Sequence, residues 1–245
     1  MRKASIIASV FLLISIFGTA ASSQESPIIL YPTDDAFIRL AAPNPISLAV
    51  DASGTPHISY YSRGTLNLAY LTIKDNEWDV EEADHVGNVG LSSSLALDAE
   101  GKPHISYIDW DNVSVKYARK VGTEWYPVHV ATSVPPNECW YPTSIAIDAS
   151  GAPHISYYTA SSSLGYAVKP VGSDCWVFKE VDDNGDVGRY CSIAIDAQGN
   201  PHISYWDATN NKLKYAVRRR TGWEPITIDN SLTVGMYTSI ALHYR

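Results

Sequence analysis

The sequence predicts an all-β fold, a β-propeller of four complete four-stranded blades plus a partial fifth blade built from the two termini. Three observations predict it. The phrase Leu48-Ala-Val-Asp51-Ala-Ser-Gly54-Thr-Pro56-His57-Ile-Ser59-Tyr60 recurs at Leu95 to Tyr107, Ile145 to Tyr157 and Ile193 to Tyr205. Its Asp positions, Asp51, Asp98, Asp148 and Asp196, lie 47, 50 and 48 residues apart, the period of a propeller blade. The aromatic residues are 16 Tyr and 7 Trp against 4 Phe, rings with polar handles that suit sheets packed face to face.

Each unit reads as four short strands separated by turns. The first is Ser-Ile-Ala-Ile-Asp, as at Ser192 to Asp196. In the linking Asp-Ala-x-Gly-x-Pro, the Asp side chain can accept backbone N–H bonds and the Gly supplies a positive φ. The Pro then opens the second strand, Pro-His-Ile-Ser-Tyr, where a missing N–H is tolerated. The third strand carries Leu-x-Tyr, as at Leu213 to Tyr215, and the fourth carries Trp78, Trp125, Trp176 or Trp223. The blades are expected at about 46–92, 93–142, 143–190 and 191–236, with a partial unit at 237–245. There Tyr237 to Leu242 spells the first strand a fifth time, with His243 in place of Asp. Residues 22–45 hold one or two strand signals between Ile28 and Leu40, a candidate closing strand. The termini closing the ring, a homo-oligomer completing it, and truncation of a larger propeller are three answers to the exposed sheet edge.

Met1-Arg2-Lys3, the apolar run Ile6 to Phe17 and Gly18-Thr19-Ala20-Ala21 read as a signal peptide over residues 1–21. The run is too short to span a bilayer, so the mature chain is expected to have no membrane span and to be secreted, extracellular or periplasmic. Without residues 1–21, Lys+Arg falls from 18 to 16 against 26 Asp+Glu, and the net charge moves from −8 to −10. That acidity argues against nucleic acid, whose binding rests on Lys and Arg contacts to phosphate.

The repeated Asp-x-x-Gly-x-Pro-His-Ile-Ser-Tyr phrase resembles secreted bacterial and archaeal β-propeller repeats, loosely grouped with sialidase-like (BNR-type) and fucose-lectin-like propellers. The resemblance covers roughly residues 46–242 and implies a propeller with a glycan-related role. The sialidase Asp box, Ser-x-Asp-x-Gly-x-Thr-Trp, does not occur, and the Arg residues do not recur at one blade position.

His57, His104, His154 and His202 each precede a Ser by two residues, Ser59, Ser106, Ser156 and Ser204. Residues i and i+2 share a strand face, so imidazole and hydroxyl can join a structural network with the hairpin Asp and the outer Trp. Four equivalent copies without an oxyanion loop do not suit a Ser-His-Asp triad. Strand spacing keeps the four imidazoles too far apart for one metal ion. Asp182 to Asp186 alternates oxygen ligands, but an EF-hand-type loop needs Gly at its sixth position, which is Val187. No metal and no cofactor are expected. In an exported chain Cys139 and Cys191 are the economical disulfide, leaving Cys175 over.

Trp110, Trp140 and Trp206 are not required by the repeat. Trp110 and Trp206 follow second strands beside Asp109 and Asp207, Tyr61 and Tyr158 align with Trp206, and Trp140 lies in the connection 133–143. These connections emerge on one face of a propeller, where rings beside carboxylates suit sugars or a protein hot spot. The expected function is extracellular recognition of carbohydrate, cell-surface glycan or surface protein through that face. A glycan-processing hydrolase or lyase and a structural or adhesion repeat of the envelope are the alternatives.

Overall fold

A computed structural model describes residues 46–132, 142–231 and 234–243. Among the described residues sixteen strands form four antiparallel sheets, each in plain chain order. The first sheet is β1 (Ser47–Val50), β2 (Pro56–Ser62), β3 (Asn67–Lys74) and β4 (Glu77–Asp84). The second is β5 (Val89–Leu97), β6 (Pro103–Asp109), β7 (Ser114–Val121) and β8 (Glu124–Thr132). The third is β9 (Ser144–Ile147), β10 (Pro153–Tyr158), β11 (Leu164–Val168) and β12 (Val177–Asp182). The fourth is β13 (Val187–Ile195), β14 (Pro201–Asp207), β15 (Lys212–Arg219) and β16 (Gly222–Asp229). The protein is an all-β, propeller-like assembly of four blades, and contacts run from each sheet to the next in sequence.

Every first hairpin closes on its Asp. Asp51 Oδ1 accepts the N–H groups of Ser53 and Thr55 at 2.9 and 2.8 Å, and Asp98 does the same with Glu100 and Lys102, both at 2.9 Å. Asp148 and Asp196 repeat the pattern. The Ser53 hydroxyl and these backbone donors hold the Asp51 carboxyl down at about 2.

The core lies between the blades. Leu68 and Tyr70 of the first sheet pack against Val89, Ile105 and Tyr107 of the second, and equivalent clusters fill the next two seams. Two devices fix the spacing. A residue at the end of the β2–β3-type turn has positive φ in every blade (Leu66, Val113 and Asn211 as its last residue, Ser162 as its last but one), and the carbonyls of Leu66 and Ser162 accept the N–H of Val89 and Val187 at 2.9 and 3.0 Å. The following glycines, Gly90 and Gly188, sit so close to the preceding blade that a Cβ would lie 2.6 Å from the Cα of Leu68 or Leu164. The recurring Val-Gly dipeptide is therefore a seam between blades. Buried ion pairs add to two seams. Asp84 accepts from the Tyr107 hydroxyl at 2.7 Å and pairs with Lys116; Asp182 accepts from Tyr205 at 2.6 Å and pairs with Lys214.

The C-terminal segment uses the same grammar. The inner-strand serines Ser47, Ser94 and Ser144 accept the N–H of Leu95, Ile145 and Ile193 in the next blade, and Ser192 accepts that of Ile240 at 3.3 Å. Gly235 packs on Leu213 as Gly90 packs on Leu68. Residues 237–243 thus dock where a fifth blade would begin, without forming a strand. Residues 22–45, the expected closing segment, lie outside the described residues, as does the signal segment 1–21. Among the described residues no helix is long and apolar enough to cross a membrane.

The histidines stand in a relay repeated four times. His57, His104, His154 and His202 share Nδ1 contacts of 2.5–2.6 Å with the hydroxyls of Tyr70, Tyr117, Tyr166 and Tyr215. Their Nε2 atoms lie 3.1–3.5 Å from the hairpin Asp residues. The tyrosines come from the Leu-x-Tyr strands and were not expected in this role. The serines and tryptophans serve the seams instead of the relay. Ser59, Ser106 and Ser204 bond the hydroxyls of Ser93, Thr143 and Thr238 in the next blade or terminal segment. In the third seam Cys191 stands where that hydroxyl would be, and Ser156 Oγ has no hydrogen-bond partner among the described residues. Trp125, Trp176 and Trp223 pack edge-on against Tyr70, Tyr117 and Tyr166 of the preceding blade, with centroids 5.0–5.4 Å apart.

Burial pulls the His104 and His154 imidazoles below 6.5, despite the nearby Asp98 and Asp148. Below about 6.5 the unfolded chain binds protons that the folded relay resists, so these residues support stability above that pH. That contribution is lost as pH falls from 6.5 through the lower folded values, and the melting temperature should decline across that interval. His104→Ala should destabilise the fold by about 1–3 kcal/mol, because the Tyr117 hydroxyl loses its buried partner, and should flatten the pH dependence of melting.

Candidate functional site

The connections after second and fourth strands do share one face. The Trp110 N–H donates to the Asn88 carbonyl at 2.9 Å, and the Ala208 N–H to the Asp186 carbonyl at 2.8 Å. Asp111 and Thr209 return the contact, accepting the N–H of Asn88 at 2.8 Å and of Asp186 at 2.7 Å.

On this face the sequence-selected residues have unequal accessibility. Asp109 and Asp207 are each only 3% exposed. Their carboxylates cap the turn, accepting the N–H of Asn112 and Asn210 at 3.0 and 2.9 Å and the side-chain amides of the same residues. The turn's need for an Asx-type acceptor occupies the two groups expected to meet hydroxyls. Tyr61 is half-buried, and its hydroxyl donates to Asn88 Oδ1 at 2.8 Å. Trp110 is half-buried against the core between the second and third sheets. Trp206 is half-buried too, with its indole N–H lacking an acceptor among the described residues. Trp140 and Cys139 lie outside the described residues. Cys191 is a buried free thiol whose sulfur lies 3.6 Å from the Pro142 carbonyl, and burial pushes its titration up to about 11.

The junction of the third and fourth sheets gathers the richest set of groups. Arg189 donates from Nε to Asp186 Oδ1 at 2.9 Å, and its Nη2 lies 2.7 Å from Oδ2, a fork-to-fork pair. Tyr158, 2% exposed, donates its hydroxyl to the same Asp186 at 2.8 Å, and the guanidinium lies 5.2 Å from the centre of its ring. Burial raises the Tyr158 phenol, so it remains a donor at neutral pH. Arg189 stands directly opposite Trp206 in the β13–β14 ladder. Beside them Tyr190 lies 5.9 Å from Trp206 and 4.4 Å from Tyr237, ring centre to ring centre. Tyr237 is 65% exposed.

A bulge aims these rings. Pairing in β13 slips between Val187, Arg189 and Ser192, and Tyr190 takes φ 53°. Ser92 and Tyr237 occupy the equivalent position with φ 53° and 57°. Positive φ on a tyrosine is costly, and bulges re-aim side chains near sites. Asp186, Arg189, Tyr190 and Tyr237 were missed as site residues in sequence, although Val-Gly-x-Tyr recurs at Val187–Tyr190 and Val234–Tyr237. Chemically, the arrangement offers an exposed ring, Tyr237, backed by a tilted Tyr190, and a charged pair that begins one residue away at Arg189.

No described protein family and no curated protein matches this chain. Solved structures do match in fold. AofleA from Arthrobotrys oligospora aligns with a TM-score of 0.55 at 13% identity over 78% of this chain and 56% of its own. The SapL1 lectin, solved with alpha methyl fucoside, gives 0.55 at 13% identity over 77% and 65%. A polysaccharide lyase, an ulvan lyase, gives 0.53 at 11% identity over 74% and 56%. This chain spans less than two thirds of each of these proteins, and at such identities the likeness is one of fold, shared with a lectin and a polysaccharide lyase.

Proposed function

We propose that the protein is a secreted carbohydrate-binding propeller module that holds a glycan on its loop face, at the fourth sheet and the terminal segment docked on it. The observation that carries this reading is the exposed Tyr237 ring packed, at a tilt of 43°, against Tyr190, whose chain neighbour Arg189 pairs with Asp186. A pyranose ring stacks on such a face through its C–H groups, while its hydroxyls find both donors and acceptors at the rim. Trp206 backs the aromatic layer and Tyr158 holds Asp186 in place. The fold neighbours support the same reading, since SapL1 was solved with a fucoside in place. Tyr237→Ala should weaken the bound glycan about tenfold, roughly 1.4 kcal/mol, with little change in melting temperature because the ring is largely in solvent. Isothermal titration of both forms tests this, and unchanged affinity would remove Tyr237 from the site and with it this placement.

A further inference from the structure

The four repeats act as internal controls for one another, and at one place on the turn face opposite the loops a single blade departs from the others. The position four residues after the hairpin Asp is Thr55, Lys102, Ala152 and Asn200 in blades one to four. The position two residues after the relay Tyr is Thr72, Arg119, Val168 and Val217. Only the second blade places a cation at both. These two side chains line one cavity of about 270 Å³ that also includes His104, Asp98 and Gly151 of the next blade's hairpin. Arg119 stands directly opposite His104 in the β6–β7 ladder, on the face turned toward the third sheet.

Charges within the cavity are not mutually satisfied. Both Asp98 oxygens are committed, Oδ1 to backbone N–H groups and Oδ2 facing His104. The Lys120 ammonium is held by Glu81 on the other side of the sheet. Lys102 meets only the exposed Glu100, at 2.5 Å. Arg119 is exposed and has no ion-pair partner among the described residues. Its positive charge reaches inward, where it helps to depress the His104 imidazole. On a chain of net charge −8, an unpaired guanidinium and a lysine converging on one cavity need a reason.

We propose that this cavity, between the second and third blades, binds a sulfate-type oxyanion carried on a polyanionic glycan. Arg119 supplies a planar fork of donors and Lys102 a mobile point charge, together more donors than a single carboxylate can use. A cavity of this size has room for the group and part of the sugar that bears it. The site lies at the opposite end of the blades from Tyr237 and stands or falls separately from the loop-face reading.

Dextran sulfate, unsulfated dextran of the same length and sodium sulfate are suitable probes for titration by calorimetry. The expected result is binding of dextran sulfate alone among the polymers, weakened at least tenfold in Arg119→Ala. Arg220→Ala removes the same charge from an exposed position outside the cavity and should change the affinity less than twofold. Sodium sulfate should displace the polymer where sodium chloride of equal ionic strength does not. Equal losses in the Arg119 and Arg220 variants would reduce the effect to diffuse electrostatics and overturn the site. So would absence of dextran sulfate binding, or failure of sulfate to compete.

Discussion

Gly188→Ala should unfold the protein at a markedly lower temperature than the parent. The glycine has φ 98°, and a Cβ there would lie 2.6 Å from the Leu164 Cα and 2.9 Å from its N, backbone atoms that cannot swing aside. Strain at the dihedral and displacement of the third blade from the fourth act together, so the cost is on the order of 3 kcal/mol. For a domain of this size that corresponds to a fall of about 6–12 °C in melting temperature. Gly235→Ala is the informative comparison. It meets Leu213 Cα at 2.9 Å but disturbs only the docked terminal segment, so its effect should be much smaller. Comparable losses in both variants would show that the terminal segment belongs to the cooperative core.

Asp182→Ala should be at least as damaging, by about 3–5 kcal/mol, because it strands the buried Lys214 ammonium and the Tyr205 hydroxyl. Attraction to Lys214 and Tyr205 outweighs the effect of burial and holds the Asp182 carboxyl low. Its support is therefore complete above the ordinary carboxylate range and disappears as pH falls through the depressed folded value. The second-to-third seam shows that the charge pair is dispensable when both halves go. There Ala131 and Gly165 stand where Asp182 and Lys214 stand, and Tyr157 takes the tyrosine position without an ion pair. The double variant Asp182→Ala, Lys214→Met should recover much of the stability lost by Asp182→Ala alone, as judged by chemical denaturation. Equal destabilisation in the single and double variants would contradict that account.

The blade architecture was legible in sequence because period, hairpin Asp, turn Gly and strand-opening Pro all recur in register, and each has a local physical cause. The seams were less legible. Val-Gly reads locally as a turn ending, whereas its purpose is the close approach of Gly188 to Leu164, which depends on a neighbouring blade. The same limit applied to the site. Asp109 and Asp207 stood beside tryptophans and suggested ligand acceptors, but their nearest demand was the backbone of their own turn. Arg189 and Tyr190 were passed over because their value comes from the bulge and from Tyr158 and Trp206 on other strands. A positive φ on a tyrosine leaves no mark in composition. The recurrence of Val-Gly-x-Tyr at Tyr190 and Tyr237 was the one available signal.

Recognition of carbohydrate by the loop face of this propeller is tested by a glycan array probed with the chain from residue 22 onward. The parent protein should retain a restricted set of glycans, and Tyr237→Ala of equal thermal stability should lose that set. A folded parent protein that retains no glycan, or a Tyr237→Ala variant with an unchanged array profile, would contradict it.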